Sequence, residues 1–519
     1  MQLLEVILFL MLCSVALGWV ARHFRFPYPI ALVIGGGALG FVPQLPQLPF
    51  DPQFILVLVL PPILYQAALL TSWRDFKANI RPISLLAIGL VIATTLAVGG
   101  ALKFLVPDMP WAAAFVLGAI VSPPDAVAAT AILSRLNIPR RVVTVLEGES
   151  LVNDASGLVL YKFAVAAVLT GTFSLLEASV QFTGVSVGGV AVGVLMGFAF
   201  VFIHRHLGDT FIEVLTSLLV PYIAYIAAES LHASGVLAVV AAGLVRGRYS
   251  PEIVSADMRI MARSAWNLLV FLLNSLVFIL IGIQLSGVAG RLAGYTPWQL
   301  FLYGTLVSAV AILVRFAWIY LASYLPRLLS KSVRRRQPAP PEAEVFIMSW
   351  CGMRGIVSLA AALALPLALA DGTPFPQRDL IIFLTFVVIA ATLVLQGLTL
   401  APLIRRLNVG TDWSGHDEER SAKLALTKAA IAAIDEAAAR EGVAGDVAER
   451  IRAEFAEKVT LALAAGEVLH TGEDPAKRLR RAAIAAERRE LIRIWRENQI
   501  SDEVLHTLEE DLDYQESRL

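Results

Sequence analysis

Four carboxylates stand where the sequence is otherwise apolar. Asp125 lies in VSPPDAVAATAIL (121–133), and Glu147, Glu149 and Asp154 lie in LEGESLVNDASGLVLYKF (146–163). Carboxylate oxygens bind protons and hard cations. In an apolar medium a bare charge is disfavoured, so each group must hold a proton, a cation or an opposite side chain. On a helical wheel Ser150, Asn153, Asp154 and Gly157 follow the i, i+3, i+4, i+7 rule and form one stripe. Glu147 falls on the same side, two turns away. Glu149 is five residues from Asp154, so it points roughly 140° away and faces a different helix. Pro123 and Pro124 donate no backbone hydrogen bond and clash with the preceding turn, so the helix carrying them should break just before Asp125. The carbonyls freed there, such as those near Ser122, would then turn into the protein.

Buried anions call for cations. Arg354, in SWCGMRGIVSLAAALALP, keeps its proton and must be paired. Gly352 and Gly355 flank it and permit a close approach or a break. Arg354 is therefore the expected partner of Glu149. Lys162 and Arg315 are expected to snorkel towards an interface. Gly184, Gly188, Gly189, Gly193 and Gly197 give a small-residue face suited to close helix packing.

The elements that position these residues follow from composition. Of 519 residues, 57% are hydrophobic and 16% charged, where a soluble chain carries about 25% charged residues. Repeated apolar runs of about 20 residues make this an all-α polytopic membrane protein. About thirteen spans are expected, near 3–20, 28–45, 53–70, 82–104, 111–133, 142–169, 184–203, 211–230, 234–246, 264–288, 298–325, 343–370 and 380–404. Asp125 is then 14 residues into its span and Asp154 is 12 residues into the next. At 1.5 Å per residue these are about 21 Å and 18 Å, close to the midplane of a core about 30 Å thick. The N-terminus carries Glu5 and no basic start, so it reads as a retained first span. Cys13 and Cys351 both fall in apolar segments and imply no disulfide framework.

Basic residues alternate between loops. One side receives Arg22, Arg74, Arg81, Arg135, Arg140, Arg141, Arg246, Arg263, Arg327, Arg334, Arg405 and others, and the opposite side only Lys103, Arg291 and Arg378. By the positive-inside rule the rich side is cytoplasmic, the N-terminus outside and the C-terminus cytoplasmic. Residues 1–408 form the expected membrane domain. Residues 409–519, rich in Ala, Glu and Arg, form a helical cytoplasmic tail whose run DVAERIRAEFAEKVTLALAAGEVL reads as a solvated bundle with no nameable partner.

GESLVNDASGLVLYKF and VSPPDAVAATAIL, followed by GMRGIVSLA, resemble the monovalent cation/proton antiporters of the sodium–proton exchanger type. LPPILYQAAL (60–69) and FLLNSLVFILIGIQL (271–285) are also similar, and the resemblance covers about residues 1–408. It implies a homodimer of thirteen-span protomers built on inverted repeats, with broken, crossed helices at the midplane of a core domain. It implies that Asp154 carries a cation or a proton, with Ser150 and Glu149 beside it and Asp125 at the crossing, and that Glu149 pairs with Arg354. Family members with Asn-Asp at 153–154 look electroneutral. The chain departs from the pattern at Pro124-Asp125-Ala126, where Thr-Asp-Pro is common. A hydroxyl ligand is missing there, which only carbonyls or Ser122 could replace. Gln66 stands where an acidic residue is common.

The expected function is therefore antiport of Na⁺ or K⁺ against H⁺ in the cell membrane, one for one, by alternating access around one carboxylate site, serving pH homeostasis. The cation would sit on Asp154 and Ser150 with Asn153, Asp125, Ser122 and the Pro124 region nearby. No enzyme activity, cofactor or nucleic-acid partner is expected. The alternatives are K⁺/H⁺ antiport and a gated cation channel, but the sequence lacks the repeated filter motif that a channel needs.

Overall fold

The computed structural model describes residues 2–23, 28–40, 55–133, 138–171, 175–289, 294–329, 339–369, 372–407 and 414–441, with short stretches and single residues besides. It falls into two compact units, Met1–Thr411 and Asp412–Leu519. Of the expected tail bundle, α17 (Ser414–Glu441) is described. Residues 457–469 of the run singled out above lie outside the described residues, as do Arg135, Arg291 and Arg334.

The first unit is helical, and an isolated bridge between Ala368 and Pro374 is its sole β pairing among the described residues. It begins with α1 (Gln2–His23) and α2 (Tyr28–Leu39). A π turn (Ile55–Val59) then leads into α3 (Leu60–Leu70), and α4 (Trp73–Ala78) is a short connector. Next come α5 (Ile80–Leu105), the interrupted pair α6 (Trp111–Val121) and α7 (Ala126–Leu133), and α8 (Arg140–Thr170). A central group follows: α9 (Leu175–His206), α10 (Thr210–Ser230), α11 (Gly235–Ile253) and α12 (Ala256–Ala289). The pattern of long helix, interrupted pair and long helix then recurs as α13 (Pro297–Leu329), α14 (Glu342–Trp350) with α15 (Ile356–Leu363), and α16 (Arg378–Arg406).

The described parts of the expected spans lie largely on these helices, and among the described residues seven helices are long and apolar enough to cross a bilayer by themselves. The two interruptions occur where the sequence puts Pro123-Pro124 and the Gly352/Gly355 pair. Both belong to one apolar core that includes Val121, Leu146, Cys351, Met353, Ile356 and Ile389. A second core joins α3, α8, α11 and α12 through Tyr65, Leu151, Ala155, Val239 and Trp266.

A local irregularity ties α8 to its neighbours. A π turn (Leu85–Leu90) inside α5 alters the i→i−4 ladder and leaves carbonyls for other donors. Trp318 Nε1 donates to Leu85 O at 3.0 Å, and Ser156 Oγ donates to Ala87 O. The side chains thus bind α5 to α13 and to α8 at the level of the carboxylate stripe.

The small-residue face of α9 packs within the chain. A methyl group on Gly193 would strike the Ala238 backbone of α11, whereas one on Gly184 would meet open space. Gly193→Ala should therefore destabilise the protein by about 1–3 kcal/mol through overpacking, and Gly184→Ala should leave it unchanged. Thermal unfolding of the two purified variants, followed by tryptophan fluorescence, checks this.

Candidate functional site

The two interruptions meet. The Asp125 amide donates to Met353 O at 2.7 Å, and Arg354 Nε donates to Val121 O at 2.9 Å. Gly355 precedes α15, and any side-chain carbon there would collide with the Asp125 carboxylate. Glycine thus lets Asp125 lie against the backbone at the start of α15, where the exposed amides and helix dipole favour an anion. Asp125 is half-buried.

α8 closes the site from the side. Asn153, fully buried, donates through Nδ2 to Pro124 O at 3.1 Å. Its Oδ1 has no hydrogen-bond partner among the described residues. Ser156 Oγ also donates to Asn153 O at 3.0 Å. The carbonyls freed by the double proline are thus partly taken up by protein donors: Val121 O by Arg354 and Pro124 O by Asn153. Ser122, also buried, spends its hydroxyl hydrogen on Ala119 O at 2.9 Å, which leaves only its lone pairs for a ligand. Ser150, one turn before Asp154, and Glu147 are half-buried.

Asp154 is 6% exposed, and its carboxylate makes no hydrogen bond or ion pair with a described residue. Asp125 lies within electrostatic reach of it.

Glu149 shows the opposite arrangement and corrects an expectation. Its partner is Arg315, not Arg354. Arg315 Nη1 and Nη2 donate to Glu149 Oε1 and Oε2 at 2.5 Å and 2.9 Å, and both side chains are 1% exposed. Arg315 also donates to Met348 O from Nε at 3.2 Å and from Nη2 at 3.0 Å. It does not snorkel. Glu149 leaves α8 on the side facing α13, and the 33-residue α13 places Arg315 at the same depth. Arg354 meets its donor demand on carbonyls instead: Val121 O, Gly352 O, and Ala311 O at 3.4 Å, with its amide on Thr392 Oγ1 at 3.1 Å. The wheel was right that Glu149 faces another helix. Depth, counted for Arg315 as it was for Asp125, would have made it a candidate beside Arg354 without choosing between the two.

Away from the site, Lys162 reaches Glu229 of α10 at 3.4 Å with its side chain 61% exposed. Gln66, in place of an acidic residue, donates to Asn267 Oδ1 at 3.2 Å.

Interrupted helices that meet at mid-membrane are the device of secondary active transporters, which gather backbone ends and polar groups around a midplane ion. The geometry places the chain in that class. The comparisons with known proteins give the family. Residues 7–406 match the family model described as sodium/hydrogen exchanger, transmembrane. A Mycobacterium tuberculosis protein named as an uncharacterized Na⁺/H⁺ exchanger is 33% identical over 524 residues, covering 99% of this chain and 96% of its own. A Bacillus subtilis protein named a sodium, potassium, lithium and rubidium/H⁺ antiporter is 35% identical, covering 77% of this chain and 61% of its own. A solved structure of a sodium/proton antiporter from Methanocaldococcus jannaschii, 20% identical, shares the fold with a TM-score of 0.61 over 78% of this chain and 99% of its own. The chain belongs to the sodium/hydrogen exchanger family, cation/proton antiporters of the membrane, and is a transporter rather than an enzyme.

Removing either member of the Glu149–Arg315 pair strands a buried charge at a cost of about 3–5 kcal/mol. Glu149→Ala and Arg315→Ala should each lower the unfolding temperature strongly, and the double variant should recover part of the loss. A double-mutant cycle on Glu149 and Arg354 should show a smaller coupling energy than the cycle on Glu149 and Arg315.

Proposed function

We propose that this protein exchanges one Na⁺ or K⁺ for one H⁺ without net charge movement, and that Asp154 is the group for which the two ions compete. The observation that carries this reading is the buried Asp154 carboxylate, which makes no hydrogen bond or ion pair with a described residue. A bare charge there is disfavoured by desolvation, so the site is occupied by a proton or by a dehydrated cation. A hard monovalent cation would find oxygens at Asp154, Ser150 and Asn153 Oδ1, with Asp125 and Ser122 beside them. Neutralised either way, the site can pass between the two sides of the membrane.

Stoichiometry follows from the buried charges. Glu149 and Arg315 cancel as a bidentate pair. Arg354 and Asp125, one in each interruption, contribute one positive and one negative charge. Glu213 and Arg246, also buried, lie within electrostatic reach of each other and cancel, so Asp154 is the remaining buried anion among the described residues, and one monovalent ion brings the total to zero. The Bacillus relative's name covers four alkali cations, which favours a site tolerant of Na⁺ and K⁺ alike. The positive-inside pattern supports a cytoplasmic C-terminus in the cell membrane, and the family resemblance supports a homodimer. No cofactor enters this reading.

Asp154→Asn should fold, because a neutral amide is easier to bury than a carboxylate, and should lose cation-dependent proton movement in proteoliposomes. Substantial residual exchange would remove Asp154 from the role of carrier.

With membrane potential clamped by K⁺ and valinomycin and Na⁺ as the exchanged ion, the exchange rate should be independent of potential. A sustained, potential-dependent rate would mean that a second group, with Asp125 the first candidate, also carries a proton.

A further inference from the structure

Three arginines that the transport reading does not use converge on one small cavity. It has a volume of about 80 Å³ and lies between α5, α8, α13 and α14, with Arg81, Arg141, Arg327 and Glu344 among its lining residues. Arg327 has both Arg141 and Arg81 within electrostatic reach. Like charges repel, and for two of the three arginines no described carboxylate relieves the repulsion. Arg81 and Arg141 make no ion pair with a described residue. The nearby Asp75 is engaged by Arg140 at 2.9 Å instead. Arg327 donates to Ser323 O and has a further interaction besides, as does Glu344, the single carboxylate among the described lining residues.

The backbone adds to the same potential. α8, 31 residues long, begins at Arg140 and α14 begins at Glu342, both at this cavity; neither start has a side-chain cap, and α8 has no acidic residue in its first turn, whereas α14 carries Glu342 and Glu344 there, so α8 is the start that contributes. Helix starts present amide donors and the positive end of the dipole. Arginine forks match the geometry of phosphate oxygens.

The geometry points to an oxyanion site in this cavity that takes a phosphate group, held by Arg81, Arg141 and Arg327. The site lies on the face that the basic loops mark as cytoplasmic, so the phosphate is either a free ion of that compartment or the headgroup of an anionic lipid in the adjoining leaflet. Its place in the fold gives it leverage. Arg141 precedes Glu149 by eight residues on α8 and Arg327 follows Arg315 by twelve on α13, about 12 Å and 18 Å at 1.5 Å per residue. Met348, whose carbonyl receives Arg315, also lines the cavity. A phosphate bound there would clamp the ends of the helices that carry the buried pair.

The test uses the purified full chain and thermal unfolding. Inorganic phosphate, titrated at constant pH and ionic strength against chloride, should raise the unfolding temperature saturably. Arg81→Gln and Arg141→Gln should each weaken the apparent affinity at least about tenfold, since each removes a charge-assisted hydrogen bond. Glu344→Gln should strengthen it, which keeps the test decisive even where an arginine variant folds poorly. A second arm compares nanodiscs of phosphatidylcholine with nanodiscs containing phosphatidylglycerol. Stabilisation by inorganic phosphate assigns a free anion. Stabilisation by phosphatidylglycerol alone, lost in the arginine variants, assigns a lipid headgroup. Flat responses in both arms, or shifts as large in the arginine variants as in the parent, overturn the site. None of these readouts depends on transport.

Discussion

The cost of placing charge in a low-dielectric interior governs this structure. An intramembrane ionisable group costs several kcal/mol unless it is paired. The chain meets that constraint in two ways on one helix. Glu149 is matched by a bidentate arginine and by the surrounding polar contacts. Asp154, five residues further on, is buried with no hydrogen bond or ion pair to a described residue. The first arrangement fixes a charge permanently; the second is the one on which the proposed exchange rests. The two stand five residues apart on α8.

The same constraint explains how the backbone is treated at the interruptions. A broken helix in a membrane exposes amides and carbonyls that water cannot reach. Here each break serves the other: the Asp125 amide with Met353 O, and Arg354 with Val121 O. Arg354, which has no carboxylate partner among the described residues, is thereby tied to carbonyl dipoles on α6, on α13 and in its own interruption. Its role is closer to that of a rivet than to half of an ion pair.

Much of this was legible in the sequence, because the signals are local. Pro123-Pro124 dictates a break through sterics alone, and the helical wheel separates Glu149 from the Asp154 stripe by arithmetic. Apolar runs and the alternation of basic loops give the all-helical membrane architecture without tertiary information. The pairing of Glu149 was not local. Arg315 and Arg354 both sit deep in apolar runs, and choosing between them requires knowing which helix lies against which face of α8. The glycines beside Arg354 pointed to a close approach, and the approach exists, but it brings Asp125 to Gly355 rather than Arg354 to Glu149. The use of the Pro124 carbonyl was equally hidden, since it depends on where Asn153 ends up in space; Ser122, by contrast, bonds back to Ala119 O three residues earlier, a local option open to a helical serine.

These contacts also bear on how an ion could be carried. Asn153 ties α8 to the first interruption, Asp125 ties the first interruption to the second, and Arg315 ties α8 to α13 and, through Met348, to α14. Moving Asp154 relative to any one of these elements would break a buried hydrogen bond or part a buried pair, each without water to compensate. Moving all of them together breaks none. On the proposed reading, the least costly displacement of the carboxylate is a shift of α5–α8 and α13–α16 as one body against the neighbouring helices, across a boundary where apolar contacts can slide and the exposed Lys162–Glu229 pair between α8 and α10 is cheap to part. A network made rigid by buried polar contacts, bounded by packing that is not, would suit the proposed exchange around a single ion.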